Sequence, residues 1–374
     1  MTRLALRNLF HDRVRLLVTL TGVVFAVVLM GIQIGLFLGF VATTANLIDH
    51  SGADLWIASS RIPYIEMGVP FSERKLYQVR SVPGIERAEA LVYRFTQWKR
   101  PDGGQESVAV VGFDLDSGMG GPWNVTQGTV SALRRPDTVM IDDFYRAKLG
   151  VDRLGDSVEI RNHRARVAAF TSGIRTFTTS PLIFTSYRNA HRYTTVADGD
   201  IVFILAKAQP GVDLARLKDD IRERVGNVDV CTTGEFSWRT SRYWMFGTGA
   251  GAALIAGTAL GLGIGFVVVA QTIYAATVDH IREFGTLKAM GASNRYIYRI
   301  ILKQAGVSAL LGYAAGIAIT EAVAHASRNG SILVQLPREV AAAILLLTVA
   351  MCMGAAMLSI FKATRIDPAM VFKA

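Results

Sequence analysis

Four long apolar runs are the feature that most restricts the fold of this 374-residue chain. They cover residues 16–40, 246–278, 301–320 and 340–361. Each reaches or exceeds the roughly 20 residues that a helix needs to cross a ~30 Å hydrocarbon core. Hydrophobic residues make up 51% of the chain, which is a modest fraction for a protein that crosses the membrane several times. The apolar residues must therefore be concentrated in these runs. The sequence therefore predicts four transmembrane helices.

The first apolar run resembles a secretory signal, because basic residues precede it and small residues follow it. A signal has an apolar core of roughly 7 to 15 residues, which is shorter than this run. We therefore expect an uncleaved span and a retained N-terminus.

The distribution of lysine and arginine predicts the orientation. Only Arg328 and Arg338 lie in the short loop between spans three and four, whereas twelve basic residues flank the spans on the other side. The positive-inside rule then places both termini and the connector between spans two and three in the cytoplasm. Much of the net charge of +10 thus comes from basic residues that determine the orientation of the spans in the membrane. Since the basic residues are not clustered on one soluble face with interleaved aromatics, we expect contact with the bilayer and none with nucleic acid. The twelve are Arg3, Arg7, Arg13, Arg15, Arg282, Lys288, Arg295, Arg299, Lys303, Lys362, Arg365 and Lys373.

The chain divides into three predicted regions. Residues 1–43 form a cytoplasmic amphipathic segment and span one, 44–243 an extracytoplasmic α+β domain, and 244–374 spans two to four. The fold class is thus a membrane α-helical protein with a large α+β domain inserted between helices 1 and 2. Alternating patterns and Pro-Gly turns predict two βαβ-like halves with a small β-rich subdomain between them at 138–175. The predicted strands are 53–59, 88–98, 201–207 and 228–232, and the predicted helices are 73–82 and 213–225.

Motifs for catalysis are missing from the sequence. It has no GxxxxGK[ST], GxSxG, HExxH or CxxC pattern, so we expect no nucleotide hydrolysis, catalytic residue, metal or cofactor on this chain. Cys231 in the external domain and Cys352 in span four are too far apart in this topology for a disulfide. The spans carry no wide polar stripe, which disfavours solute transport through the bilayer core. Gln33 and Gln271 are expected to form interhelical hydrogen bonds.

Span two carries small residues at intervals of four. This spacing places them on one helix face, where another backbone can approach closely. The partner is either another span of the same chain or a second copy in a homodimer, and the pattern alone does not distinguish them. The residues are Gly249, Ala253, Gly257, Gly261 and Gly265.

A short basic amphipathic segment, DHIREFGTLKAMGA at 279–292, separates spans two and three. Asp279 is suited to an N-cap and Gly291 to a helix C-terminus. Ile281, Phe284 and Leu287, together with Met290, recur every three residues and form an apolar stripe. The segment is either a docking helix for a cytoplasmic partner or an amphipathic connector on the inner leaflet.

These residues together resemble a known family. The stretch ALRNLFHDRVRLL before span one, the large external domain, the three closing spans, REFGTLKAMGA at 282–292 and the tail IDPA at 366–369 are similar to FtsX-like permeases. These are membrane subunits of the mechanotransmitting class of ABC transporters, related to the macrolide exporter MacB. GADLWIAS, KLYQVRSVPGIERAEAL, PDTVMIDD and TLKAMGASNRY resemble DevC-type permeases most. Phe284 departs from the isoleucine of many relatives but stays apolar.

The resemblance implies partners. They are a separate cytoplasmic ABC ATPase that binds ATP and Mg²⁺, a second copy of the chain in a homodimer, a periplasmic membrane-fusion adaptor and an outer-membrane channel. The ATPase is expected to dock on Arg282, Glu283, Phe284, Gly285, Leu287, Lys288, Ala289, Gly291 and Ala292.

Residues and resemblance together predict a non-catalytic permease subunit of the inner membrane. It would convert ATP hydrolysis by the partner into motion of the external domain and export a lipid-like or amphipathic cargo. The alternative is an ATPase-driven regulator of a cell-wall hydrolase that transports nothing. The external domain is larger than is usual for such regulators, which favours export.

Overall fold

The computed structural model describes residues 13–178, 180–279, 286, 290–327 and 333–364. The chain folds as two compact units. One comprises Met1–Gly39 and Ala252–Ala374, and the other comprises Phe40–Gly251. We call them the membrane unit and the external unit and describe each by itself.

The α-helices in the described part of the chain include four long ones near the two ends of the sequence and shorter ones between them. They are α1 (Arg13–Thr44), α2 (Asn46–Asp49), α3 (Arg74–Arg80), α4 (Arg146–Leu149), α5 (Tyr187–Tyr193), α6 (Leu214–Val225), α7 (Thr233–Phe246), α8 (Gly249–Asp279), α9 (Asn294–Ser327) and α10 (Arg338–Thr364). Single 3-10 turns occupy Ile65–Met67, Val130–Arg134 and Asp143–Tyr145.

The strands all lie between α1 and α7 in sequence. They are β1 (Leu55–Ser59), β2 (Phe71–Ser72), β3 (Ile85–Lys99), β4 (Gln105–Phe113), β5 (Val125–Gln127), β6 (Thr138–Asp142), β7 (Ser157–Ile160), β8 (His163–Thr171), β9 (Leu182–Ser186), β10 (Asp200–Ile201), β11 (Phe203–Ala208) and β12 (Val228–Thr232).

Among the described residues, four helices are long and apolar enough to cross a membrane, which confirms the four predicted spans. Their spanning parts are Leu16–Thr44, Gly249–Thr272, Asn294–Ser327 and Arg338–Met357. The second begins later than the apolar run suggested, because Phe246 belongs to α7 and Gly247 is the C-cap of that helix. Gly247 and Thr248 thus separate the last external helix from span two.

The core of the membrane unit draws on all four spans. Val23, Val27 and Met30 of α1 are fully buried together with residues of α8, α9 and α10. The Tyr313 hydroxyl of α9 donates to the Ala341 carbonyl oxygen of α10 at 2.9 Å. Because lipid tails are as apolar as these side chains, close packing and such hydrogen bonds hold the helices together.

The external unit is built on one large sheet with the strand order β12-β1-β11-β3-β4-β9-β6-β8-β5, and β7 pairs with β3 and β8. Its first four strands, with α3 and α6, form two βαβ segments. β11 lies between β1 and β3, and β1 lies between β11 and β12, with antiparallel pairing throughout. The strands of each half are therefore interleaved with those of the other, as in a split βαβ arrangement.

Hydrophobic patterning explains why this part folds as it does. Leu76 and Val79 of α3 and Leu217 and Ile221 of α6 are buried against the same face of the sheet. The N-terminus of α6 is capped by Asp213, whose side chain accepts a hydrogen bond from the Ala215 amide at 2.9 Å. The predicted strands and helices of both halves are confirmed to within a few residues.

The β-rich insertion between the halves is continuous with the same sheet. β3 is 15 residues long, and its first half pairs with β11 while its second half pairs with β4. The predicted segment 138–175 contains β6, β7 and β8, and β4 and β9 complete this region without having been predicted. β4 pairs with β9, and β6 with β8, in parallel.

Candidate functional site

The predicted docking segment is described at Asp279, at Thr286 and over residues 290–292. Asp279 was expected as an N-cap, but it is the last residue of α8, because the helix of span two continues through it. Arg282, Glu283, Phe284, Gly285, Leu287, Lys288 and Ala289 lie outside the described residues. The Met290 amide donates to the Thr286 carbonyl oxygen at 3.0 Å, a helical spacing. Gly291 follows with φ of +93°, the left-handed conformation that ends a helix and favours glycine. Ala292 is half-buried, and α9 begins at Asn294.

The exposed fraction of the Met290 side chain, 72%, is large for an apolar residue. Met290 is the last residue of the predicted apolar stripe. Its exposure fits both interpretations of the segment, because an ATPase groove and the inner leaflet would each cover such a side chain. The docking role of the segment therefore stays a prediction.

Three of the five small residues of span two face span one of the same chain. A Cβ atom added at Gly261 would lie 2.9 Å from Gln33 Cγ, and one at Gly265 would lie 3.4 Å from Met30 Cγ. A Cβ atom added at Gly257 would lie 3.6 Å from Gln33 Oε1, its nearest neighbour. By contrast, Ala253 is exposed, and a Cβ at Gly249 would meet no described atom within 4 Å.

Span one carries a second small-residue face that the sequence reading missed. Gly31, Gly35 and Gly39 also recur every four residues. An added Cβ at Gly31 would lie 2.7 Å from Thr320 Cγ2 of α9. One at Gly39 would overlap the Leu333 carbonyl oxygen, a backbone atom. The interval-of-four spacing was therefore a signal in this span too.

Span three packs on span one through its own glycine pair. A Cβ added at Gly312 would lie 2.5 Å from Val23 Cγ1, and one at Gly316 would lie 2.7 Å from Val27 Cβ. Both valines are fully buried. Span one is thus contacted closely by both α8 and α9.

In the external unit, aromatic rings connect the end of α1 to the end of α7. Phe40 and Phe177 meet edge to face with ring centroids 4.2 Å apart, and Phe177 meets Trp244 at 5.0 Å. Tyr64 stacks on Tyr243 at 3.9 Å. We call these five residues the aromatic cluster. Such ring pairs add about 0.5–1.5 kcal/mol each beyond burial.

A buried hydrogen bond joins the same two helices. The Thr44 and Ser241 hydroxyl oxygens are 2.9 Å apart. Farther along α7, Phe236 packs on Trp56 of β1, with ring centroids 5.3 Å apart. The chain segments that lead into spans one and two are therefore linked to each other and to the sheet.

Glu66 is a buried acid beside the aromatic cluster. Its Oε2 is sealed from solvent and, like Trp244 Nε1, makes no hydrogen bond of ordinary geometry with a described residue. Burial raises the pKa of Glu66 to about 7, while its own backbone amide and the Trp244 side chain lower it less. The folded external unit therefore favours the neutral acid.

This pKa predicts a pH-dependent stability. Because the folded pKa lies above the ordinary value of 4.5, the folded state binds the proton more tightly. The contribution of Glu66 to stability should be most favourable below about pH 4.5 and should be lost as the pH rises through 7, a change of up to about 3 kcal/mol. Glu66→Gln should therefore raise the melting temperature of the detergent-solubilised protein at pH 8 and change it little at pH 5. An equal effect at both pH values, or the same gain from surface Glu223→Gln, would contradict this assignment.

Comparison with known proteins places the chain in a family. The model of the MacB-like periplasmic core domain matches residues 16–224, and that of the FtsX-like permease C-terminal domain matches residues 243–368. An uncharacterized ABC transporter permease of Mycobacterium tuberculosis, recorded in two strains, is 24% identical over 325 residues. That alignment covers 86% of this chain and 85% of the relative.

Two solved structures each match about half of this chain. The periplasmic region of MacB from Actinobacillus actinomycetemcomitans is 12% identical with a TM-score of 0.38, and the match covers 49% of this chain and 90% of that one. The extracellular domain of the noncanonic ABC-type transporter YknZ from Gram-positive bacteria is 12% identical with a TM-score of 0.37, covering 48% and 98%. Because the core-domain model alone matches more than half of the sequence, the chain belongs to the ABC transporter permeases of the MacB and FtsX type.

Proposed function

We propose that this permease couples ATP hydrolysis by a separate cytoplasmic ATPase to motion of its external unit, and that this motion drives export of a lipid-like or amphipathic cargo. The family implies a cytoplasmic ATPase as partner. ATP and Mg²⁺ would bind that partner, and this chain would act as a non-catalytic subunit. The ATPase would dock on residues 279–292.

The observation that carries the proposal is the link between the ends of α1 and α7. The aromatic cluster and the Thr44–Ser241 hydrogen bond join them. Helix α1 is itself span one, and α7 is followed directly by the helix of span two. A displacement of span one against span two would strain these contacts. Because the Phe236 ring of α7 also packs on Trp56, the strain would reach the central sheet.

Further partners follow from the same proposal. A cargo expelled by motion outside the membrane needs a conduit, which a periplasmic adaptor and an outer-membrane channel would supply, as in the DevC-type systems that the sequence resembles. A homodimer would give an ATPase pair two docking segments. The described contacts of Gly257, Gly261 and Gly265 lie within one chain, so the dimer seam would use other surfaces.

The proposed orientation predicts a labelling pattern. Cys231 and Cys352 are both buried, so they are replaced first. In that background a cysteine at exposed Glu223 should react with an impermeant thiol reagent in intact cells. A cysteine at exposed Ser293 should react only after the membrane is permeabilised. Labelling of the Ser293 site in intact cells would contradict cytoplasmic placement of the connector.

Export and cell-wall regulation predict different phenotypes. Cells lacking the permease should retain amphipathic compounds and become more sensitive to them, with normal cell separation and normal wall-hydrolase activity. The wild-type gene should restore resistance. Loss of hydrolase activity without any change in compound retention would favour the regulator instead.

A further inference from the structure

A basic groove lies in the β-rich insertion and shares no residue with the aromatic cluster. Its cavity is about 520 Å³. The floor is formed by β8, and the walls are formed by residues 132–138 and by the turn at Leu154 and Gly155. Arg135, Arg164 and Arg166 all line it and are exposed.

The fold places these three arginines together. Arg164 and Arg166 are two residues apart on β8, so their side chains lie on the same face of the sheet, about 7 Å apart along the strand. Ala165 and Val167, which alternate with them, are buried on the opposite face. Thr138 pairs with Arg166 across the strands. The Thr138 hydroxyl donates to the Arg135 carbonyl oxygen at 2.7 Å, which holds the loop that carries Arg135 beside this part of the sheet.

The positive charge of the groove is not neutralised by nearby acids. Within the described part of the chain, none of the three guanidinium groups has a carboxylate partner, and Arg164 donates to the Ser157 hydroxyl at 2.9 Å. The acids around the groove are each paired with another cation: Asp137 with Arg192 at 3.3 Å, Asp156 with Arg153 at 3.6 Å, and Glu159 with Lys99 at 3.1 Å. Three arginines and one acid, Asp137, thus line this concave surface, which leaves it with an excess of positive charge.

We propose that this groove binds a phosphate group of an anionic ligand. Guanidinium groups donate pairs of parallel hydrogen bonds to phosphate oxygens. A carboxylate presents two oxygens in one plane, which a single arginine can engage as a pair, whereas a phosphate presents three or four oxygens in different directions and can accept such pairs from several arginines. Three arginines free of acidic partners therefore fit a phosphate better than a carboxylate. The site is independent of the proposed export function, since it needs neither the ATPase nor a cargo.

Calorimetric titration of the full-length permease with inorganic pyrophosphate tests the site. The protein is held in a maltoside detergent, which carries no phosphate, in a phosphate-free buffer. The wild type should bind saturably. A variant with Arg135→Gln, Arg164→Gln and Arg166→Gln should bind about tenfold more weakly or worse.

The matched control removes the same charge elsewhere. Arg87, Arg216 and Arg224 are exposed, and none lines the groove. Their simultaneous replacement by glutamine should leave pyrophosphate binding nearly unchanged. An equal loss in this control would show that only the overall charge matters and would overturn the site. The absence of saturable binding to the wild type would do the same, and so would equal binding of tricarballylate, a carboxylate of similar charge.

A second arm identifies the source of the phosphate. Vesicles of phosphatidylcholine with added phosphatidic acid are offered to the same proteins. Retention of the wild type but not of the groove variant would assign a lipid headgroup, while pyrophosphate binding without vesicle retention would assign a soluble phosphate ligand. Both results support the groove, provided that the wild type also binds pyrophosphate. If the wild type does not bind pyrophosphate, the groove is overturned whatever the vesicles show.

Discussion

Leucine in place of Gly316 is expected to destabilise the membrane unit strongly. An added Cβ already lies 2.7 Å from Val27 Cβ and 3.2 Å from the Val24 backbone oxygen, and neither atom is the end of a flexible side chain. Overpacking of this kind costs roughly 1–3 kcal/mol. The melting temperature of the detergent-solubilised permease should fall by several degrees, and recovery of the complex with its ATPase should fall with it.

The same span provides a matched control. An added Cβ at Gly306 meets no described atom within 4 Å, so Gly306→Leu should be tolerated and should even favour the helix slightly. Span two offers a parallel pair, with Gly261→Leu pressing on Gln33 and Gly263→Leu facing open space. If both members of each pair melted alike, close packing on span one would not explain the glycine spacing.

Much of the external fold was predictable because local signals agreed. A short apolar run marked β1, the alternation of Val228, Asp229 and Val230 marked β12, and the Pro83-Gly84 turn set the boundary between α3 and β3. Gly84 has φ of +94°, a conformation that few other residues adopt. Local patterns could not predict the interleaving of the two halves. Strands such as β1 and β12 are more than a hundred residues apart in the sequence, so their pairing depends on contacts that no short stretch of sequence contains.

Helix α7 shows a local signal that was overlooked. Thr232 and Glu235 form a capping box: the Thr232 hydroxyl accepts from the Glu235 amide at 3.2 Å, and Glu235 Oε2 accepts from the Thr232 amide at 2.8 Å. The prediction ended the external domain at 243 and assigned Phe246 to span two. The apolar run concealed the break at Gly247, because hydropathy does not distinguish an external helix end from a span.

The candidate site was only partly accessible from sequence. The small residues of span two were recognised by their spacing, but their partner depended on tertiary contacts with Gln33 and Met30. The glycines of span one have the same spacing and were missed. The aromatic cluster combines residues from distant segments such as Phe40 and Trp244, so no motif in the sequence could reveal it.

The proposed coupling of the ATPase to the permease depends most on residues 279–292. If this segment is a docking helix, Phe284 supplies an apolar anchor for a groove on the ATPase, while Arg282 and Lys288 set its orientation. Small interfaces depend on a few central side chains, so Phe284→Asp should weaken ATPase recovery about tenfold or more. The four spans should still insert, because the change lies outside them.

Ser293→Asp adds the same charge at an exposed position just beyond the segment, and it serves as the control. If the segment only lies on the inner leaflet, both variants should retain the ATPase. The decisive measurement is co-purification of the ATPase with wild type, Phe284→Asp and Ser293→Asp, followed by the rate of ATP hydrolysis in each recovered complex. Our account predicts loss of recovery and of permease-dependent hydrolysis in Phe284→Asp alone, and it is contradicted if that variant recovers the ATPase and stimulates hydrolysis as the wild type does.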